Sequence, residues 1–405
     1  MHRKHRKALS LAAFLLLGTI SAGLHPAGAA GSRYRVVTSA ERRVGPLVIT
    51  EETVQMGNDP IARFTLHRMR KAHADLRGAL LIMPGGGSNF AFYTADETGD
   101  ELKSFAAFLA LRGIDVWGYS PRTRGLAAGA CSGAVDCSGM RDWGMQSVVD
   151  DALYIRKRIR QVYGAKKPVI GGLSLGAMST LALMNAAPED WAGAVVWEGM
   201  LYSRQPVVLD ANQVVCDQLE AQIAGGQLWD DTTYPGVRFL YDLATADPNG
   251  ATQVPGFPPG FTNRQAYLAA LTTPQPAPPA YVPGYTLAVG DPSGFTFASE
   301  ARLAMLVLQL NNYDPLALVR DYTCALAGER TFTRNLPSFT APVYAIGSGH
   351  SFGAWMRDNV KLLGSTDVTW NYTPAFGHGD LFATPNHRRL LERPLFEWLK
   401  RVLNE

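Results

Sequence analysis

"PVIGGLSLGAM", residues 168–178, sets one serine between two glycines, directly after a short apolar run and before a run able to wind into a helix. This stretch decides the fold, because strand, sharp turn and helix in that order are the unit from which a parallel sheet is built. A side chain at Gly172 or Gly176 would strike adjacent backbone in so tight a turn, whereas glycine has no Cβ to collide. Ser174 is then left exposed at the strand's C-terminal end, and the N–H groups opening the helix face any negative charge that develops beside it. A serine between glycines also occurs in ordinary turns, so the segments around it must carry the reading.

Outward from Ser174, short apolar runs alternate with amphipathic ones, the pattern of a sheet flanked by helices. Ala79 to Met83, Ile114 to Tyr119, Pro168 to Leu173, Ala192 to Trp197, Pro342 to Ile346 and Val368 to Tyr372 read as largely buried, mostly parallel strands. Near Tyr34 to Val37, Val44 to Thr53 and Ile61 to Met69 the alternation suits an antiparallel edge. The clearest helix is Trp143 to Tyr163, where Val148, Ala152, Ile155, Ile159 and Val162 fall on one face. Glu101 to Leu111, Leu175 to Ala187, Ser299 to Asn311 and Arg388 to Leu403 read as further helices. The alternation breaks from about Ser203 to Ser338, a stretch far longer than an ordinary strand-helix connection and rich in proline. It reads as an inserted, largely helical cap over residues 203–338, dividing a core made of residues 30–202 and 339–405.

A nucleophilic serine needs a base, and five histidines follow residue 29: His67, His73, His350, His378 and His387. His378, in Phe376-Gly377-His378-Gly379-Asp380 just past the last strand, is the candidate, since a loop there can return to the serine. Pro84-Gly85-Gly86-Gly87 follows an early strand, and its bare backbone lets N–H groups approach an oxyanion closely. With no Gly-Lys-Ser/Thr after it, the loop does not read as a phosphate cradle.

The elbow Gly172-Leu173-Ser174-Leu175-Gly176, the late Gly377-His378-Gly379-Asp380 and the glycine loop together resemble the α/β-hydrolase superfamily from about Ala79 to the C-terminus, cap excepted. The resemblance implies that Ser174 attacks a carbonyl and that His378 accepts and returns the proton. It further implies an oxyanion hole formed by the N–H of Leu175 and one from Gly86 or Gly87.

The acid departs from the commonest pattern of that family. Where an aspartate is expected after Pro342 to Ile346, the chain continues Gly347-Ser348-Gly349-His350-Ser351-Phe352, with no carboxylate before Asp358. Glu198 ends the strand Ala192 to Trp197 on the elbow's side of the sheet and takes the role instead. Some α/β-hydrolases, among them one subgroup of haloalkane dehalogenases and the related coelenterazine luciferases, similarly place a glutamate there. A carboxylate closing so apolar a strand needs a partner, and His378 is one. Asp380, two residues past His378, is the rival and also suits a loop or capping position. His350, Asn89 and Phe90 are candidate substrate-binding residues, each with a competing role in closing its own loop.

The N-terminus carries Arg3, Lys4, Arg6 and Lys7, an apolar stretch from Ala8 to about Leu24, and Ala27-Gly28-Ala29, which reads as a secretory signal peptide over residues 1–29. Its apolar core is shorter than the ~20 residues of a spanning helix. The 405-residue chain is 47% hydrophobic, enough for a substantial core, and holds 38 basic and 35 acidic residues. Loss of the leader lowers the basic count to 34, a balance without a stripe for nucleic acid. Export to a secreted or periplasmic setting favours pairing of Cys131 with Cys137 and of Cys216 with Cys324 over a metal site, for which the spacing is wrong.

The expectation is a cofactor-free serine hydrolase acting on a small-molecule or polymeric carboxylic ester. A peptidase or amidase on the same fold, or a binding protein that kept the fold without catalysis, are the alternatives. The aromatic residues of the inserted stretch suit either an apolar ligand or ordinary packing.

Overall fold

A computed structural model describes residues 33–272 and 294–404. Residues 1–29, which the sequence reads as a leader, lie outside the described residues, as do Pro274, Pro276, Pro278, Pro279, Pro283, Tyr281 and Tyr285 of the inserted stretch.

In chain order the strands are β1 (Tyr34–Val44), β2 (Leu47–Met56), β3 (Arg63–Lys71), β4 (Gly78–Met83), β5 (Ile114–Ser120), β6 (Val169–Leu173), β7 (Gly193–Trp197), β8 (Trp229–Asp230), β9 (Asp314–Pro315), β10 (Val343–Ser348) and β11 (Val368–Thr373). The helices are α1 (Ala91–Thr94), α2 (Phe105–Ala110), α3 (Met145–Tyr163), α4 (Leu175–Ala186), α5 (Pro206–Ala224), α6 (Thr233–Ala246), α7 (Asn263–Thr272), α8 (Glu300–Val307), α9 (Leu316–Leu326), α10 (Gly353–Val360), α11 (Asp380–Ala383) and α12 (Arg393–Asn404).

Nine strands form one sheet in the order β1-β2-β3-β5-β4-β6-β7-β10-β11. The three strands β1 to β3 are antiparallel, β3 pairs antiparallel with β5, and β5, β4, β6, β7, β10 and β11 run parallel. The chain steps from β4 to β5 on one side and then to β6 on the other. The crevice beyond the carboxyl ends of β4 and β6 is therefore the topological switch point, where open α/β sheets bind ligands.

Helices cover both faces. One apolar cluster joins the sheet to α3, α4 and α9, and a second joins its other face to α2 and α12. On α12 the buried Leu395, Trp398, Leu399 and Val402 recur at helical spacing.

Several sequence expectations shift in detail. The run from Val44 to Thr53 is not one strand: β1 ends at Val44, the chain reverses through Gly45 at φ 55°, and β2 begins at Leu47. β11 is not buried; it pairs only with β10, at the sheet edge, and exposes Trp370 and Tyr372. Val162 is 48% exposed, because the steps of four, three, four and three drift around a helix of 3.6 residues per turn; Tyr163 meets the core there instead. Proline-poor segments of the inserted stretch wind into α5 to α9. Its first and last helices, α5 and α9, pack into the same apolar cluster as α3 and α4, while α6, α7 and α8 form their own small cluster.

The cysteines pair as Cys131 with Cys137 and Cys216 with Cys324. The second bridge ties α5 to α9, holding the two ends of the inserted segment side by side.

Candidate active site

Ser174 joins β6 to α4 at φ 60°, a left-handed conformation that costs a non-glycine residue roughly 1–3 kcal/mol. Its neighbours explain why the turn persists. A Cβ on Gly172 would lie 2.6 Å from the Met83 oxygen, and one on Gly176 2.2 Å from the same atom. Both glycines are thus required by the backbone of β4, which the sequence alone could not name. The Ser174 N–H donates to the Trp197 carbonyl at 2.8 Å, locking the turn to the end of β7.

That next strand ends in a second strained residue. Glu198 has φ 52°, and its N–H donates to the Ile346 carbonyl of β10 at 2.9 Å. Among the described residues, non-glycine positive φ occurs only at His73, Ser174 and Glu198, so two of three such sites adjoin the same strand ends. Gly199 allows the approach: a Cβ there would lie 2.5 Å from the Ser174 oxygen.

His378 comes from the loop between β11 and α11 and is 3% exposed. Its Nδ1 stands 3.5 Å from Oε2 of the fully buried Glu198. It also stands 3.2 Å from Oγ of Ser351, a residue the sequence reading passed over. Asp380 is occupied differently: its Oδ2 accepts the Gly377 N–H at 2.7 Å and so shapes the turn that presents the histidine.

Ser174, His378 and Gly86 border one cavity of about 770 Å³, open solvent at its mouth included. Its remaining walls are chiefly apolar, with Phe92 from the core and Leu303 and Leu306 from the inserted segment. Gly86 and Gly87 are separated by it, since Gly87 instead lines a second cavity that Leu175 also borders. The N–H of Leu175 lies in the first turn of α4, where no intrahelical acceptor exists.

Tyr234, at the start of α6, covers the glycine loop. A Cβ on Gly86 would lie 2.6 Å from its hydroxyl, and one on Gly87 2.3 Å from its ring. The loop is glycine for the sake of this neighbour as well as for any oxyanion. Of the aromatics in the inserted segment, Tyr241 and Tyr267 pack edge to face with each other, Phe257 stacks on Phe261, and Phe239 is exposed.

Three residues proposed to touch substrate lie elsewhere. His350 is exposed and outside the cavity lining, its N–H given to the Phe376 carbonyl at 3.0 Å. Asn89 is buried and donates to the Gln309 carbonyl at 2.7 Å and to Asn311 Oδ1 at 3.2 Å, tying the glycine loop to the inserted segment. Phe90 is buried against Gly118, where any Cβ would strike its ring. Asn89 and Phe90 are held by packing, whereas His350 faces solvent.

Two further residues set the site's surroundings. The Tyr93 hydroxyl donates to the Met83 carbonyl at 3.0 Å and accepts the Leu173 N–H at 3.3 Å, clamping the ends of β4 and β6 together; burial pushes this phenol well up. Asp314 pairs with Asp230 across the β8–β9 bridge and borders the second cavity. Burial first, and the charge of Asp230 second, push its carboxyl up to about 7. Neither position has a local sequence signal, since each role depends on a distant strand.

No family model matches the chain, and no curated protein matches it. Similar solved structures include a lipase candidate from Sulfolobus solfataricus, at 16% identity over 91% of this chain and 99% of that one, with a TM-score of 0.64. A monoacylglycerol lipase of Paleococcus ferrophilus is 14% identical over 83% of this chain and 99% of its own, at a TM-score of 0.47. A proline iminopeptidase of Mycobacterium smegmatis is 15% identical over 90% and 99%, at 0.43. With its switch-point crevice and strand-turn-helix at Ser174, the chain has the α/β-hydrolase type of fold, shared with the Sulfolobus solfataricus structure.

Proposed function

We propose that the protein is an exported serine hydrolase that cleaves a carboxylic ester through Ser174, His378 and Glu198. The observation that carries this reading is the meeting of a strained serine and a buried histidine on one cavity wall, with a buried carboxylate 3.5 Å behind the histidine. Strain held at a solvent-facing nucleophile is retained only where the surrounding structure over-determines it, as Gly172, Gly176 and the Trp197 carbonyl do here.

In the proposed mechanism Ser174 Oγ adds to the ester carbonyl while His378 Nε2 takes its proton. The carbonyl oxygen becomes an oxyanion, met by the N–H groups of Leu175 and Gly86. Collapse expels the alcohol, which receives the proton from Nε2, and leaves an acyl-Ser174. Water, deprotonated by the same nitrogen, adds to the acyl carbon and releases the carboxylic acid and Ser174. Glu198 balances the imidazolium in both half-reactions.

The cavity supports an ester of an uncharged acyl group over a peptide with a free N-terminus. Binding an α-ammonium in a buried site calls for a carboxylate. Among the described residues lining this cavity there is no Asp, Glu, Lys or Arg. The segment 203–338 is then a cap, contributing Tyr234, Leu303 and Leu306 to the substrate's surroundings. Two disulfides and the leader-like N-terminus support export.

The test is turnover of p-nitrophenyl esters against aminoacyl-anilides by purified protein and its Ser174→Ala, His378→Ala and Glu198→Gln forms. Hydrolysis of the esters that disappears in Ser174→Ala supports the reading. Preference for the anilides rejects the ester assignment, and full activity in Ser174→Ala rejects the mechanism.

A further inference from the structure

The loop after β10, Gly347-Ser348-Gly349-His350-Ser351-Phe352-Gly353, folds back tightly on itself. A Cβ on Gly353 would lie 2.5 Å from the Ser348 oxygen, and one on Gly349 2.1 Å from the Pro374 oxygen. That fold turns His350 out to solvent and turns Ser351 and Phe352 inward, at 6% and 1% exposure. Both inward residues grip His378: Ser351 Oγ lies 3.2 Å from Nδ1, and the Phe352 ring stands edge-on to the imidazole at 5.3 Å between centroids.

For Nε2 to accept a proton from Ser174, the neutral imidazole must carry its single N–H on Nδ1. Two acceptors are near that proton, Ser351 Oγ at 3.2 Å and Glu198 Oε2 at 3.5 Å. Among the described residues, neither carboxylate oxygen of Glu198 has a hydrogen-bond partner. The nearer acceptor is the hydroxyl.

We propose that Ser351 is a positioning residue that acts through His378. It accepts the Nδ1–H in the resting enzyme and so fixes tautomer and ring plane, while Glu198 supplies the charge that a hydroxyl lacks once the imidazolium forms. No proton leaves Nδ1 in either state. The division also makes position 351 competent to hold the acid itself, because its Cβ already projects toward Nδ1. This proposal rests on the assignment of Ser174 and His378 as nucleophile and base.

Steady-state kinetics on a p-nitrophenyl ester test it, with the folded fraction of each variant read by circular dichroism. Ser351→Ala is expected to lower kcat about tenfold with KM within about twofold of the parent, and Ser351→Thr to recover most of that loss. Combining Ser351→Asp with Glu198→Gln is expected to restore at least about tenfold of the activity that Glu198→Gln alone loses. A kcat in folded Ser351→Ala equal to the parent's overturns the proposal. So does failure of both Ser351→Thr and the Asp/Gln combination to retain activity, which also decides the matter if Ser351→Ala does not fold. Activity surviving in Ser174→Ala removes the underlying mechanism, whereas its loss there with intact Ser351→Ala removes only the role of Ser351.

Discussion

Two glycine-rich turns leave neighbouring regions of the same sheet, and they behave oppositely. The elbow after β6 presents the residue its sequence advertises, Ser174, because the glycines on either side meet backbone that admits nothing larger. The loop after β10 advertises His350 and presents Ser351. In the first turn local covalent geometry dictates which side chain points at the site. In the second the direction is set by what the loop packs against, Pro374 and the imidazole of His378. A glycine-flanked residue is thus a reliable pointer only where the strain sits at that residue itself.

The comparison breaks most sharply at the elbow. Ser174→Ala should lower kcat by about 10⁴-fold or more on an ester substrate, and Ser174→Gly should do the same while raising thermal stability by roughly 1 kcal/mol through relief of the positive φ. Calorimetry of the two variants checks the second part; equal stability of Gly and Ser forms would mean the turn stores no strain. Next in size, Gly176→Ala forces a Cβ into the Met83 carbonyl and should cost roughly 3 kcal/mol or more, read as a fall in urea midpoint.

Asp314 extends the contrast to a residue with no sequence signal. Its folded pKa near 7 exceeds the ordinary 3.8, so between these values the folded chain binds more protons than the unfolded one and stability falls as pH rises. Below about pH 4 the penalty is absent, and above about 7 it is complete. Asp314→Asn should match the parent near pH 4 and exceed it by roughly 2–4 kcal/mol at pH 8 in urea unfolding. A stability difference independent of pH would refute the upward push on the Asp314 carboxyl.

The smallest effect sharpens the second turn. His350→Ala should leave kcat and KM within about twofold of the parent, since an exposed side chain outside the cavity contributes little to transition-state binding. A tenfold loss there would restore His350 to the site and reverse the contrast.

The periodicity of the chain was sufficient for most of the parallel strands and for α3 and α4, because burial against a sheet imposes spacings that are local in sequence. Val44 to Thr53 and Val368 to Tyr372 escaped it for different reasons. A two-residue reversal at Gly45-Pro46 interrupts no hydrophobic pattern, and whether an apolar strand is interior or edge depends on whether another strand joins it. Asn89 and Phe90 illustrate the same limit at the site: beside a glycine loop either residue suits substrate or packing, and the contacts with Gln309, Asn311 and Gly118 that decide it come from remote segments.

What the sequence by itself determined is the chemistry available: a serine in a turn that only glycines permit, a late histidine, and a carboxylate ending an apolar strand that must find a partner. Only the tertiary structure decided which groups meet. It set Glu198 and Ser351 within 3.5 Å of one imidazole nitrogen, gave Gly86 rather than Gly87 to the cavity of Ser174, and left His350 exposed to solvent. The physical reason is that strain and propensity act over a few residues, whereas the surroundings of Nδ1 are built by three segments that the sheet brings together.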